Sequence, residues 1–362
     1  MIKRLNKIPL ILLACLLAIP ALAQKTENVV LITFDGLRWQ ELFAGADSLL
    51  VDDTGYVDNP DALTKEFWHA DPLKRREILM PFFWSTLAKQ GQLYGNRKYD
   101  NKVDCSNSMW FSYPGYNEIL TGFADNERIN SNDKINNPNV TVLEYLNQQP
   151  AYKGKVAAFG SWDVFPFIIN AERSGIPVNA GFAKAQNNLN EREQLLNLLQ
   201  DQIRGPWGSV RFDAFTHHYA MEELKKNKPK VLFVSFGETD DYAHGGRYDQ
   251  YLISARQTDA YIAELWNYLQ SDPQYKDKTT MIITTDHGRG TQPKSTWKSH
   301  GINIKGAGEI WMAVIGPDSP ALGEVKKSQQ LYQNQVARSL AKALGVDYSE
   351  SKAGPVIAGA LK

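Results

Sequence analysis

The chain has 362 residues, 43% of them hydrophobic, which is enough for one large core or for a core with a smaller cap. Lys and Arg total 40 and Asp and Glu total 40. No net field therefore draws the protein to duplex nucleic acid or to an anionic membrane, and no repeat or low-complexity stretch reads as disordered.

Met1-Ile2-Lys3-Arg4 and Lys7 precede an apolar run from Ile8 to Leu22 that closes on Ala21-Leu22-Ala23. This is the form of a cleaved signal peptide, residues 1–23, and it is too short for a membrane span. It predicts a mature start at Gln24 and a periplasmic or secreted protein. Cys15 in Leu-Leu-Ala-Cys offers a lipoprotein processing site as the alternative. Cleavage would leave Cys105 as the only cysteine, so no internal disulfide could form.

Val29 to Phe34 is a continuous apolar run, the pattern of a strand buried on both faces, and it ends on Asp35-Gly36. Ile78 to Gln90 has helical periodicity, and Gln92 to Tyr99 is strand-like. A polar loop runs through Cys105 to Ser108. Pro114 to Gly122 reads as a short helix with proline near its start, where a missing amide proton costs nothing. Thr141-Val142-Leu143-Glu144 has the form of a capping box. Lys155 to Gly160 reads as a strand; Leu189 to Ile203 and Asp213 to Lys226 read as helices.

Lys230 to Phe236 is another buried strand and runs into Glu238-Thr239-Asp240. A long helix, Tyr248 to Leu269, leads to Met281-Ile282-Ile283-Thr284-Thr285, which ends on Asp286-His287-Gly288. Glu309 to Ile315 reads as the last strand and Gln329 to Leu344 as the last helix. This alternation predicts an α/β fold, a three-layer sandwich with a mostly parallel central sheet. Residues 24–362 read as one catalytic domain, with insertions at about 40–75 and 160–225 forming a cap.

Three strands thus deliver acids, Asp35, Asp240 and Asp286, at the mouths where open α/β sheets place their ligands. Three of the six histidines join them. His244 follows Asp240 by one helical turn, His287 adjoins Asp286, and His300 stands in Trp297-Lys298-Ser299-His300-Gly301. Mixed imidazole and carboxylate ligands suit a divalent metal such as zinc. The plain alternative is a set of hydrogen-bonded turns, although gathered, unpaired acids would be costly to bury. Glu238 and Asp241 compete with Asp240. His217 and His218 read as surface-helix residues, and His69 as a polar loop residue.

The ordered set Phe34-Asp35-Gly36-Leu37-Arg38, Ser112-Tyr113-Pro114, Thr121-Gly122, Asp240-x3-His244, Asp286-His287-Gly288 and His300-Gly301 resembles the alkaline phosphatase superfamily. It is most similar to the nucleotide pyrophosphatase/phosphodiesterase branch, over nearly all of the chain after residue 23. The resemblance implies two divalent metal ions, with zinc suited to the ligands. Asp240, His244 and His300 would hold one; Asp35, Asp286 and His287 would hold the other, together with the nucleophile's oxygen. Three protein ligands per ion leave a position open for water or substrate. The family's four-residue spacing to His selects Asp240 over its rivals.

Family members place a Ser or Thr nine residues before a Thr-Gly pair, at a helix start. That implies Ser112 as nucleophile and metal ligand, ahead of Ser106 and Ser108, loop serines of the kind that cap backbone groups. An asparagine downstream would contact the phosphoryl group, Asn132 in preference to Asn130. The implied activity is hydrolysis of small-molecule phosphate esters through a phosphoserine. The branch has Thr at the nucleophile and Asn-His after the proline, whereas this chain has Ser112 and Gly115-Tyr116, so monoester and diester both stay open.

Other readings weigh less. A sulfatase needs C/S-x-P-x-R, and Tyr116 stands where that Arg belongs. A phosphomutase of the same superfamily works in the cytoplasm, against the signal peptide. A non-catalytic metal- or phosphate-binding protein would lack a ligand or the nucleophile, and none is missing. Arg38, Arg289, Lys294 and Lys298 lie near the motifs, and Trp39 and Trp162 could stack a nucleoside.

Overall fold

A run as apolar as Val29 to Phe34 leaves no face for water, and it is covered on both sides in the computed structural model, which describes residues 24–362. The expected signal peptide and Cys15 lie outside the described residues. Strand β1 (Asn28–Phe34) is followed by α1 (Trp39–Ala44), α2 (Pro60–Phe67), α3 (Pro72–Leu79) and, after one π-helical turn, α4 (Ala88–Gln90). Then come β2 (Gly91–Tyr94), β3 (Asn101–Asp104), α5 (Ser112–Thr121), α6 (Val142–Gln148), β4 (Val156–Gly160), α7 (Phe165–Ile168), α8 (Ala171–Ser174) and β5 (Val178–Ala180). The chain continues through α9 (Glu191–Gln202), α10 (Asp213–Lys226), β6 (Val231–Phe236), α11 (Glu238–His244), α12 (Tyr248–Ser271) and β7 (Thr279–Thr285). It closes with β8 (Glu309–Ile310), β9 (Met312–Ile315), β10 (Gly323–Glu324), β11 (Gln329–Tyr332) and α13 (Val336–Ala343).

Eight strands form one sheet in the order β10-β2-β9-β7-β1-β6-β4-β5, and only β9 runs antiparallel to its neighbours. Successive residues of the central strands enter two separate cores. Val30, Ile32 and Phe34 meet α10, α12 and the helices of residues 39–90; Val29 and Leu31 meet α5, α6 and α13. The result is a sheet between two helical layers, as expected. The stretch 160–225, expected as a cap, supplies β5 to the edge of this sheet and α10 against β4 and β6. No helix among the described residues is long and apolar enough to cross a membrane, and Cys105 is buried and free.

Register positions the chemistry. Phe34 pairs with Phe236 on one side and Thr285 on the other, so Asp35, Gly237 and Asp286 leave the sheet side by side. Four local expectations need correction. The helix expected at 78–90 is broken before Pro81, whose ring is tolerated only in a first turn, and Asp259 caps the second piece at the amides of Phe82 (2.8 Å) and Phe83 (3.1 Å). The strand expected at 309–315 divides at Trp311: Ile310 pairs with Val103 in a small second sheet and Met312 with Tyr94 in the large one. The helix expected from Gln329 starts only at Val336, because Gln329–Tyr332 pairs with β3 as a strand. At Thr141 only half a capping box forms: its hydroxyl accepts from the Glu144 amide, while the Glu144 carboxylate pairs with Arg173.

Candidate active site

Asp286 is fully buried at the end of β7. Its Oδ1 accepts from the amides of Gly36 (3.1 Å) and His287 (2.9 Å), while Oδ2 has no hydrogen-bond partner. Asp35 is similar: Oδ2 accepts from the Tyr116 hydroxyl at 2.9 Å and buried Oδ1 has no partner. Gly36 between them has φ +62°, and a Cβ there would stand 2.6 Å from Arg289 Nη1 and 2.9 Å from Asp240 Oδ1. Only glycine fits that turn.

The unpaired oxygens converge on one nitrogen. His287 Nδ1 lies 2.8 Å from the Gly288 carbonyl, which can only accept, so Nδ1 carries the proton and Nε2 presents a lone pair. Around Nε2 stand Asp35 Oδ1 at 3.3 Å, Asp286 Oδ2 at 3.4 Å, Asp240 Oδ1 at 3.8 Å and Ser112 Oγ at 3.4 Å. Burial pulls the imidazole down to about 4, so it is neutral at pH 7. Burial, and then the charge of each one's acidic neighbours, pushes Asp35 and Asp286 well above the usual carboxylate range. Buried carboxylate oxygens left without partners beside an imidazole lone pair fit a cation.

The second half rests on α11, where Asp240 and His244 are one turn apart and share a face. His244 Nε2 lies 3.1 Å from Asp240 Oδ2 and 2.9 Å from His300 Nε2. The His300 ring stacks on His287 with centroids 3.9 Å apart, and its Nδ1 faces the Trp110 carbonyl at 3.2 Å. Although burial opposes its charge, Asp240 is held well below the usual carboxylate range by Arg289, His300 and His244. Buried Arg289 grips Asp240 Oδ1 and also donates to the carbonyls of Trp297 (2.9 Å) and Lys298 (2.5 Å), in the loop that leads to His300. Two donor sets of metal-binding character result, Asp240–His244–His300 and Asp35–Asp240–His287, with Asp240 common to both.

Ser112 is the first residue of α5, two residues earlier than the expected helix start. Gly115 lets that turn lie against β7's end, where a Cβ would stand 2.4 Å from the Asp286 carbonyl oxygen. Asn132 Oδ1 accepts from the Tyr113 amide at 3.0 Å. Ser112 and Asn132 open into a cavity of about 130 Å³ lined also by Asp35, Asp240, His244, His300, Trp162, Ser209, Val210 and Asp241. A larger cleft of about 480 Å³ beside β5 and α10 holds none of the predicted site residues.

The remaining candidates lie elsewhere. Ser106 and Ser108 do not line the cavity; their amides are tied to Glu118 and Asn126. Asn130 donates to the Glu127 carbonyl on the exposed surface. Arg38 is buried against Glu41 and Asp47, Lys294 pairs with Asp53, Lys298 approaches the Tyr56 ring, and the Trp39 indole donates to Glu309. Glu238 is committed to the Asp213 amide at 2.8 Å, and His69 Nδ1 accepts from the Asp71 amide. His217 corrects its expectation: it is fully buried, stacked 4.5 Å from Tyr261, with Nε2 at 2.9 Å from Glu264. The positions of Tyr116 and Asp213 around the site carried no sequence signal, since their partners are remote along the chain, whereas Arg289, noted beside the Asp286-His287-Gly288 motif, grips Asp240.

Residues 48–307, well over half of the chain, match the family model described as type I phosphodiesterase / nucleotide pyrophosphatase. No curated protein matches the chain in sequence. Among solved structures the fold is similar to that of the alkaline phosphatase PafA, at 10% identity and a TM-score of 0.64 over 93% of this chain and 99% of that one. It is similar to the lipoteichoic acid synthase LtaP from Listeria monocytogenes, at 11% identity and 0.57 over 90% and 74%. The phosphonate monoester hydrolase SpPMH from Silicibacter pomeroyi gives 12% identity and 0.56 over 92% and 76%. At such identities the likeness is one of fold.

Proposed function

The chain belongs to the type I phosphodiesterase / nucleotide pyrophosphatase family, and on that premise we propose that it is a metal-dependent hydrolase of phosphodiesters with Ser112 as its nucleophile. The observation that carries the reading is the convergence of Asp35, Asp286, Asp240 and Ser112 oxygens on His287 Nε2, with Asp35 Oδ1 and Asp286 Oδ2 buried and unpartnered. Asp35, Asp286 and His287, with the Ser112 oxygen, would hold one divalent ion; Asp240, His244 and His300 would hold a second. Asp240 also reaches the first set. Such ions, zinc by the chemistry of the ligands, supply Lewis acidity, lowering the pKa of a neighbouring hydroxyl and offsetting charge on phosphoryl oxygens.

The side chains do the rest. Ser112 Oγ, its proton lost to solvent, attacks phosphorus in line with the departing ester oxygen, forming one P–O bond as the other breaks. The departing alkoxide takes a proton from solvent, and the phosphoryl group stays on Ser112 as a diester with the second alcohol; water then attacks that phosphorus, releasing the monoester and returning the serine hydroxyl. Asn132 has its Oδ1 committed to the Tyr113 amide, which leaves its Nδ2 to donate to a phosphoryl oxygen. His287 is held neutral and in one tautomer by the Gly288 carbonyl.

Diester is favoured over monoester by charge. Among the described residues no Lys or Arg lines the cavity, and Arg38, Arg289, Lys294 and Lys298 are each engaged elsewhere. A monoester dianion would bring a second negative charge with no side-chain cation to meet it. The apolar, cleavable N-terminus supports export to the periplasm or beyond. The test compares p-nitrophenyl phosphate, bis(p-nitrophenyl) phosphate and p-nitrophenyl sulfate, each with and without chelator. We expect the diester to be cleaved best and all turnover to vanish with chelator; a sulfate preference, or chelator-resistant turnover, overturns the reading.

A further inference from the structure

The loop between β3 and α5 contains a buried amide side chain that the proposed chemistry does not use. Within that loop Trp110 has φ +51°, the only aromatic residue among the described non-glycine residues in the left-handed region; the others are Asp, Asn and Lys. A tryptophan rarely adopts that conformation unless its surroundings impose it. Here they do so from two sides. The indole lies on Gly308, where a Cβ would stand 2.7 Å from Trp110 Nε1. Asn107 Oδ1 accepts from the amides of Met109 (3.1 Å) and Trp110 (2.9 Å) and so closes the turn.

Asn107 is itself held on every side. It is buried, and its backbone amide and Nδ2 donate to Glu118 Oε2 at 2.7 and 2.8 Å, while Nδ2 also faces Gln333 Oε1 at 3.5 Å. Gln333 Nε2 in turn donates to the carbonyls of Thr285 (3.1 Å) and Asp286 (2.6 Å), which fastens the turn to the end of β7. What the turn presents is the Trp110 carbonyl, 3.2 Å from His300 Nδ1. A carbonyl can only accept, so Nδ1 keeps the proton and Nε2 turns its lone pair towards Asp240 Oδ1 (3.6 Å) and His244 Nε2 (2.9 Å). Resting on the two-metal phosphodiesterase reading, we propose that Asn107 is a positioning residue: through Trp110 it fixes His300 in the tautomer that can serve as a metal ligand.

The test reads isotope-labelled imidazole nitrogens by NMR, first in metal-free protein and then during zinc titration. In the metal-free wild type His300 should be protonated at Nδ1, and zinc should shift the Nε2 signals of both His287 and His300. Asn107→Ala should leave His300 a mixture of tautomers and weaken one of the two zinc sites by about ten- to a hundredfold, the usual cost of losing an outer support of a ligand. His287 should titrate as in the wild type. Asn107→Ser, whose hydroxyl can accept from the same two amides, should recover much of the loss. Wild-type His300 protonated at Nε2 overturns the proposal whether or not any variant folds. So does an Asn107→Ala protein that binds both zinc ions as tightly as the wild type, or one that weakens both sites equally, and each of these leaves the phosphodiesterase reading intact. A wild type that binds no zinc overturns both.

Discussion

Asp213 and Glu238 cap each other's helices. The Glu238 carboxylate accepts from the Asp213 amide that opens α10, and the Asp213 carboxylate accepts from Gly237 (2.8 Å) and Glu238 (3.2 Å), which open α11. Since α11 carries Asp240 and His244, this reciprocal clasp sets the position of two of the candidate metal ligands. Burial pushes Asp213 up to about 6, and burial with the charge of Asp213 pushes Glu238 up to about 8.

Asp213→Ala strips two amides of their acceptor and is expected to destabilise the fold by about 2–3 kcal/mol. It should also weaken metal binding. Glu238→Gln keeps an acceptor oxygen and should lose less than about 1 kcal/mol. Urea unfolding and metal titration of the two variants check this. An Asp213→Ala protein as stable as wild type would remove the clasp from the account.

Ser112→Ala should lower turnover at least about a hundredfold, the loss expected for a positioned nucleophile. Metal content should stay near wild type, because the serine oxygen joins several other ligands. Ser106→Ala and Ser108→Ala should lose little. Acid quenching of the wild-type reaction with a diester should leave the phosphoryl group, still esterified to its second alcohol, on Ser112, identifiable by mass spectrometry. Near-normal turnover by a metal-loaded Ser112→Ala enzyme would exclude the covalent route.

Elemental analysis should find about two equivalents of divalent metal, consistent with two His/Asp donor sets. Chelation should lower Tm, because the ions bind the folded state alone and the buried Asp35 and Asp286 carboxyls are then left without their partner. Less than one equivalent, with Tm unmoved by chelator, would contradict the dinuclear reading.

His217 gives a prediction for pH. Burial pulls its imidazole down to about 4 despite the Glu264 bond. Between that value and the unfolded value of about 6.5 the unfolded chain binds the extra proton. The resulting stability is present above about pH 6.5 and lost as pH falls towards 4, on the order of 2–3 kcal/mol at full effect. His217→Gln should flatten this acid-side slope relative to wild type, both measured by denaturant unfolding in chelator at pH 7 and pH 4.5. Parallel slopes would show that His217 does not carry it.

The strand-tip acids were legible in the sequence because each follows a continuous apolar run, and such runs can only be buried strands ending at the sheet's mouth. The spacing of Ser112 to Thr121-Gly122 placed it at a helix start, and it opens α5 beside these acids. What the sequence hid was set by tertiary contact. Gln329–Tyr332 is short and mixed enough to be helix or strand, and β3 decided it. Trp311 reads as strand interior, yet its indole donates to the Leu37 carbonyl and the chain changes sheets there. His217 sits on a polar-looking stretch whose buried face is defined by Tyr261 and Glu264. Tyr116 marked the absence of an arginine in the motif, but its bond to Asp35 spans too much chain to be read from spacing.

Among the described residues β1 is hydrogen-bonded on both sides to strands that come later, β6 and β7. The first described strand to be synthesised is thus among the last to be paired. It waits for residues 231–236 on one edge and 279–285 on the other. Until they arrive, Val29 to Phe34 is an open apolar edge, the kind of segment through which nascent chains associate wrongly. Pairings so distant along the chain also make for slow folding. A ribosome-bound chain halted before Thr279 would hold neither a closed sheet centre nor a full ligand set, so a holdase that shields this one hexapeptide would protect the yield of the whole protein.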